Sequence, residues 1–230
     1  MAQDVHKVIV WGDSILKGVA LDPEGKYRVL EENCGKLFGD ATGIEIVNRS
    51  RFGCTVTKGH SIMRADLERV SDADTAVIEF GGNDCDFDWA AIAENPEAEH
   101  SPKTPLHIFR NEVENMVKEV RARGIRPILT TLPPLEPNRF VATISKGLNR
   151  NNILKWLGCA LTTYRWQESY SDAISEIARR TNCLLIDLRS AFLTDRYYEK
   201  FICADGMHPN ASGHRLMAGV LKNFLRTQTN

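Results

Sequence analysis

The sequence predicts an α/β protein in which a parallel β-sheet lies between two layers of helices. Short apolar runs alternate along the chain with longer segments whose apolar residues recur at helical spacing. Several short runs are apolar at consecutive positions, as expected for strands that are buried on both faces. An alternation of strands and helices is typical of parallel sheets, because each return connection is a helix.

Five strands are expected from these apolar runs and from the turn residues that bound them. The first run ends at Gly12 and Asp13, and the fourth follows Gly124 and ends at Pro133. Glycine, aspartate and proline at such positions terminate regular structure. The predicted strands cover residues 8–11, 44–47, 75–80, 125–132 and 183–186.

Three amphipathic helices are expected between and after the later strands. Their apolar residues lie three or four positions apart, which places them on one face of a helix. These stripes run through residues 106–120, 170–178 and 216–225, and we interpret each as core packing. Because no linker divides the 230 residues, a single domain spanning residues 1–230 is expected.

Two segments depart from the alternation, residues 86–104 after the third strand and residues 133–166 after the fourth. Loops of this length in a compact domain are usually functional or disordered. Both segments follow the carboxyl ends of strands, where open parallel sheets bind ligands. We therefore expect both to form pocket walls or a lid.

Composition and charge argue against several classes of function. The net charge is −1, so a nucleic-acid partner is not expected. No segment approaches the ~20 apolar residues of a membrane span, and the first residues lack the apolar core of a signal peptide. We therefore expect a cytoplasmic protein. The six cysteines form no C-x-x-C pair, which favours free, mostly buried thiols over a metal site or disulfides.

Residues that could form a hydrolytic site lie after three of the predicted strands and before the last helix. Ser14 comes just after the first strand, Gly53 follows the second and Asn83 follows the third. Asp205 and His208 lie three residues apart before the last helix. The carboxyl ends of parallel strands meet at one edge of a sheet. These residues are therefore expected to converge there.

These residue types suit acyl transfer by a serine nucleophile. His208 can remove the hydroxyl proton of Ser14 near neutral pH, and Asp205 can orient the imidazole. The backbone N–H groups of Ser14 and Gly53 and the side-chain amide of Asn83 can donate to an oxyanion. The predicted catalytic residues are thus Ser14, Asp205 and His208, with Ser14, Gly53 and Asn83 as the oxyanion hole.

The motifs that carry these residues resemble those of the SGNH hydrolase family, also called the GDSL lipase/esterase superfamily. They occur in the family's order, as Gly12-Asp13-Ser14, Gly53, Gly82-Asn83-Asp84 and Asp205-x-x-His208. The first motif continues with isoleucine where the family has leucine, a change expected to affect only packing. The resemblance implies a flavodoxin-like three-layer α/β/α fold, hydrolysis of acyl esters, and neither a metal nor another cofactor.

The substrate is left open by the sequence. Members of the resembled family hydrolyse short acyl esters, acetylated sugars, lysophospholipids and thioesters. We expect a small-molecule ester with a short acyl group, such as an acetyl ester of a carbohydrate. Lysophospholipase or acyl thioesterase activity on a lipid or thioester is the alternative within the family. The oligomeric state is not predicted.

Two alternatives come from other classes of protein. A metal-dependent phosphoesterase could use Asp13, Asn83, Asp84 and His208 as ligands, but the chain lacks an early Asp-x-His element. A non-catalytic module that binds carbohydrate or lipid does not need the complete set of catalytic residues, so the intact set argues against this alternative. Asp13 and Asp84 are otherwise expected to order turns, and His214 to lie at the surface or in packing.

Overall fold

The computed structural model describes residues 5–69 and 73–229, and the strands of this part form two sheets. The strands are β1 (Lys7–Gly12), β2 (Val19–Leu21), β3 (Tyr27–Val29), β4 (Glu45–Asn48), β5 (Thr75–Glu79), β6 (Arg126–Thr130) and β7 (Leu184–Ile186). The five predicted strands correspond to β1, β4, β5, β6 and β7, with bounds that differ by one to two residues at most ends.

The main sheet is parallel throughout, with the strand order β4-β1-β5-β6-β7. Counting only the strands of this sheet, the order is 2-1-3-4-5, which is the flavodoxin-like arrangement. The direction of winding changes between β1 and β5, and ligands of such sheets bind outside the carboxyl ends of the strands at this point. The predicted α/β fold with a five-stranded parallel sheet is confirmed.

Helices connect and cover these strands. They are α1 (Ser14–Lys17), α2 (Cys34–Thr42), α3 (Val56–Leu67), α4 (Trp89–Glu94), α5 (Leu106–Ala122), α6 (Pro137–Ile144), α7 (Arg150–Leu157), α8 (Leu161–Thr181), α9 (Leu188–Leu193) and α10 (Ala211–Thr229), with a short 3-10 helix at Tyr198–Phe201. The predicted stripes fall on α5, α8 and α10. No helix in the described ranges has the length and apolar character needed to cross a bilayer.

Two hydrophobic cores lie on opposite faces of the main sheet. Along β1, Ile9 and Trp11 face the core shared with α3, α5 and α8. Val8 and Val10 face the core shared with α2, α9 and α10. Successive side chains of a strand point to opposite faces, so a strand covered on both sides must be apolar at every position. This explains the continuous apolar runs in the sequence.

The two segments that interrupt the alternation pack against each other. Residues 86–104 contain α4, and residues 133–166 contain α6, α7 and the start of α8. Ile92, Val141 and Ile153, one from each of the three shorter helices, are fully buried in a third hydrophobic cluster. We refer to residues 86–104 and 133–166 together as the cap.

Candidate active site

Ser14 is held by a tight turn at the carboxyl end of β1. A Cβ atom on Gly12 would approach the backbone oxygen of Glu79 to 3.0 Å, so a larger residue would crowd this turn. Asp13 caps α1, because its Oδ1 accepts the N–H of Ile15 at 2.8 Å. The interpretation of Asp13 as a turn residue is confirmed. Ser14 follows directly as the first residue of α1 and is 6% exposed.

The structure brings Ser14, His208 and Asp205 into one hydrogen-bonded series. The hydroxyl oxygen of Ser14 lies 2.9 Å from Nε2 of His208, although 194 positions separate the two residues. Nδ1 of the same imidazole lies 2.7 Å from Oδ2 of Asp205. Asp205 and His208 are 1% and 3% exposed. Water therefore competes little for these hydrogen bonds.

The surroundings of Asp205 keep it ionised. Burial alone would raise its pKa, but hydrogen bonds from the His208 ring and from the backbone N–H groups of Met207 and His208 lower the pKa below its usual value. An ionised Asp205 accepts the Nδ1 hydrogen of His208. Nε2 then carries a lone pair that can accept the proton of Ser14.

Two aromatic rings flank the imidazole of His208. The Tyr27 ring lies 5.1 Å from the imidazole, and the Phe52 ring lies nearly parallel to it at 6.1 Å. Partial burial, followed by the nearby charge of Asp205, raises the pKa of Tyr27 to about 12. Sequence reasoning missed Tyr27, which lies on the unpredicted antiparallel hairpin formed by β2 and β3.

The three residues that carry the predicted oxyanion donors, Ser14, Gly53 and Asn83, line one cavity. The backbone of Gly53 has φ of 66°, in the left-handed region that favours glycine. Nδ2 of Asn83 donates to Oδ2 of Asp13 at 3.0 Å. An amide nitrogen carries two hydrogens, so the second remains available for an oxygen atom in the cavity. Asp13 thus orders both the turn and the side chain of Asn83.

A second buried carboxylate, Glu79, lies beneath this turn and was also missed. Glu79 is 0% and Asp13 1% exposed, and Oε2 of Glu79 accepts the backbone N–H of Asp13 at 3.4 Å. Burial raises the pKa of Asp13, and burial together with the adjacent Asp13 raises the pKa of Glu79 well above its usual value. Glu79 is therefore the protonated partner. A glutamate that ends an otherwise apolar strand is the signal that could have identified it.

The cavity outside Ser14 has a volume of about 420 Å³. Both segments of the cap contribute to its lining, Trp89 from residues 86–104 and Phe140, Trp156 and Trp166 from residues 133–166. Volumes of roughly 300–1,000 Å³ and apolar linings with a few placed polar groups are typical of small-molecule sites. The site can therefore enclose a substrate that is mainly apolar.

The residues of the alternative metal site are engaged in other contacts. Both ring nitrogens of His208 belong to the hydrogen-bonded series, and Oδ1 of Asp84 accepts the N–H of Val56 at 2.9 Å. Burial raises the pKa of Asp84 to about 6. Within residues 5–69 and 73–229, no group of three or more histidine, cysteine, aspartate or glutamate residues is arranged to hold a metal ion.

His214 is fully buried in α10 and not at the surface. Its Nδ1 accepts the backbone N–H of Cys34 at 3.4 Å, which joins the start of α2 to α10. Burial lowers the pKa of His214 to about 4, so the ring is neutral at physiological pH.

The six cysteines are free, and Cys159 alone among them is exposed.

Comparisons with known proteins bear on the family and the fold of the chain. The model of the GDSL-like Lipase/Acylhydrolase family matches residues 10–216. A lipase/acylhydrolase from Enterococcus faecalis superposes with a TM-score of 0.69 at 19% identity, covering 97% of this chain and 96% of the other. LAE5, an alpha/beta hydrolase enzyme from the metagenome of Lake Arreo, Spain, gives 0.68 at 20% identity, covering 99% and 98%. TesA gives 0.64 at 19% identity, covering 97% and 99%.

These structural likenesses show the fold, and the family model spans most of the chain. No curated protein matches the sequence. On the family match over residues 10–216, the chain belongs to the GDSL-like lipase/acylhydrolase family.

Proposed function

We propose that the protein is a serine esterase that hydrolyses carboxylic esters through an acyl-enzyme intermediate. The observation that carries this proposal is the distance of 2.9 Å between the Ser14 hydroxyl oxygen and Nε2 of His208. This is within hydrogen-bond reach for proton transfer between a nucleophile and its base. The buried Asp205 on the far side of the imidazole completes the arrangement of a serine hydrolase.

In the proposed reaction Ser14 attacks the ester carbonyl carbon while His208 takes the hydroxyl proton. The carbonyl oxygen becomes an oxyanion, which the N–H groups of Ser14 and Gly53 and the amide of Asn83 stabilise. His208 then donates its proton to the leaving alkoxide, and the alcohol departs from the acyl-enzyme. A water molecule gives a proton to His208 and attacks the acyl carbon, which forms a second tetrahedral oxyanion. As this intermediate collapses, the ester bond to Ser14 breaks, His208 returns the proton to the Ser14 oxygen, and the acid departs. Asp205 stabilises the imidazolium during both steps.

The volume and lining of the cavity favour a substrate larger than an acetyl ester. A short acyl group such as acetyl is compatible with the proposed catalytic residues, but it would leave most of the cavity of about 420 Å³ unfilled. Aromatic side chains of the cap line this space. The proposed substrate is therefore an uncharged ester that carries an apolar group larger than acetyl.

Replacement of Ser14 tests this function. We expect Ser14→Ala to abolish hydrolysis of p-nitrophenyl butyrate and leave the melting temperature nearly unchanged, because the side chain contributes one hydroxyl to the fold. Ser61→Ala is the matched control, since Ser61 is exposed on α3 and its hydroxyl donates to the backbone oxygen of Thr57. Substantial hydrolysis by purified Ser14→Ala would refute the assignment.

Full activity in EDTA is also expected, and its loss would support the metal-dependent alternative.

A further inference from the structure

The direction in which the leaving group departs follows from the position of His208. If the proposed function holds, His208 must donate a proton to the leaving alkoxide. The alcohol portion of the ester must then lie on the imidazole side of Ser14. That side is bounded by Tyr27 and Phe52, which are 42% and 52% exposed. The leaving group therefore faces the open mouth of the site.

The acyl portion must extend the other way, into the part of the cavity that the cap encloses. We use the term aromatic wall for four residues there, Phe87, Trp89, Trp156 and Trp166. The Phe87 ring lies 4.9 Å from that of Trp156 and 5.5 Å from that of Trp166. The Trp89 ring lies 6.1 Å from that of Trp156. The four rings thus form one continuous surface.

The two sets of aromatic rings are separate. Tyr27, Phe52 and His208 contact one another, and within the described residues no ring contact joins them to the aromatic wall. Both sets line the same cavity, which also contains Ser14. An ester bound at Ser14 therefore has one part beside the imidazole and the other part toward the aromatic wall.

The enclosed part of the cavity is suited to an uncharged apolar group. Among the described residues that line it, none is a lysine or an arginine. Asp86 is engaged with Lys103 at 2.8 Å and accepts the indole N–H of Trp89 at 2.7 Å. Trp89 therefore presents its ring, and not an unpaired polar edge, to the cavity. Leu132, Leu135 and Ile144 line the same cavity.

We propose that the aromatic wall is the acyl-binding subsite and that the enzyme selects medium-length, uncharged apolar acyl groups over acetyl. This selectivity rests on the proposed esterase function. Burial of each additional methylene is worth about 0.8 kcal/mol, or about a fourfold gain. The value of kcat/KM is therefore expected to rise by up to about fourfold per methylene until the acyl chain has covered the aromatic wall.

The test compares p-nitrophenyl acetate, butyrate and octanoate, all below their critical micelle concentrations. The three esters share one leaving group, so the ratio of kcat/KM between octanoate and acetate reports only the acyl side. We expect octanoate to be preferred by at least tenfold. A preference for acetate, with hydrolysis still abolished in Ser14→Ala, would overturn the subsite and leave the esterase function standing. Absence of hydrolysis in the whole series would instead refute the esterase function.

Variants of the cap locate the subsite. Trp156→Ala removes part of the aromatic wall and should lower the octanoate-to-acetate ratio at least fivefold. Ile144→Trp fills the cavity without removing a wall residue, and should also lower this ratio. Phe52→Ala, on the leaving-group side, should leave the ratio unchanged. If neither cap variant alters the ratio while both stay folded, or if Phe52→Ala lowers it as strongly, the aromatic wall does not bind the acyl group.

Discussion

Replacing Asp205 with asparagine tests how the imidazole is held. Oδ2 of Asp205 accepts the Nδ1 hydrogen of His208 at 2.7 Å, and Oδ1 accepts the backbone N–H groups of Met207 and His208. The asparagine oxygen can keep the backbone hydrogen bonds, which turns its NH₂ group toward Nδ1. Nδ1 must then act as the acceptor, and the ring hydrogen moves to Nε2. That hydrogen points at the Ser14 hydroxyl, so His208 can no longer take its proton.

The expected loss is large because the base is left in the wrong tautomer. In serine-protease triads the same substitution lowers kcat by about 10⁴, which corresponds to about 5.5 kcal/mol. The stability should also respond to pH. The folded-state pKa of Asp205 is lowered, so its ionised form stabilises the fold above the unfolded pKa of about 3.9. This contribution is lost as the pH falls through the folded pKa, and Asp205→Asn lacks it.

The assay is steady-state hydrolysis of p-nitrophenyl butyrate, with melting temperatures measured from pH 3 to pH 8. Asp195→Asn is the control, because it makes the same chemical change in a partly exposed pair with Lys200, and neither residue lines the cavity at Ser14. We expect the control to retain wild-type kcat. If folded Asp205→Asn retains kcat within tenfold of wild type, the proposed role of this carboxylate is wrong.

Three further predictions concern Asn83, Glu79 and His214. Asn83→Ala should lower kcat by about 10²–10³ with little change in KM, because an oxyanion donor acts mainly in the transition state; an unchanged kcat would remove Asn83 from the proposed role. Glu79→Gln should gain stability relative to wild type as the pH rises above about 4.3, the pKa of glutamate in the unfolded chain. The pKa of Glu79 is raised in the folded protein, so its ionisation favours unfolding. Urea denaturation between pH 4 and pH 8 measures this, and a difference in the free energy of unfolding that stays constant with pH would contradict it. Wild type should lose stability relative to His214→Gln as the pH falls from about 6.5 toward the folded pKa of about 4, because the unfolded histidine binds a proton first. Parallel stability curves for these two proteins would contradict a neutral, buried His214.

The main sheet could be predicted because its strands leave a simple signal in the sequence. Every residue of β1 from Val8 to Gly12 is buried, so the run from Val8 to Trp11 is apolar without interruption. The hairpin of β2 and β3 leaves no such signal. All three residues of β3, from Tyr27 to Val29, are exposed, and no hydrophobic pattern marks them as a strand. The approach of Tyr27 to His208 therefore required the structure.

The proposed active site was accessible from the sequence for a topological reason. Ser14 and Asn83 follow β1 and β5, the two strands between which the winding of the sheet changes direction. The shape of the cavity was less accessible. The positions of residues 86–104 and 133–166 indicated pocket walls, but the meeting of Trp89 with Trp156 depends on the packing of α4 against α7. The expectation of a short acyl group was made without that contact.

In the proposed reaction Ser14 carries the acyl group during turnover. The acyl-enzyme can be trapped by mixing the enzyme with p-nitrophenyl octanoate, quenching in acid within one turnover, and analysing the peptides by mass spectrometry. We expect an octanoyl group on Ser14 in the wild type and no adduct in Ser14→Ala. Rapid turnover with the acyl group attached to another residue, or an adduct that persists in Ser14→Ala, would contradict this role of Ser14.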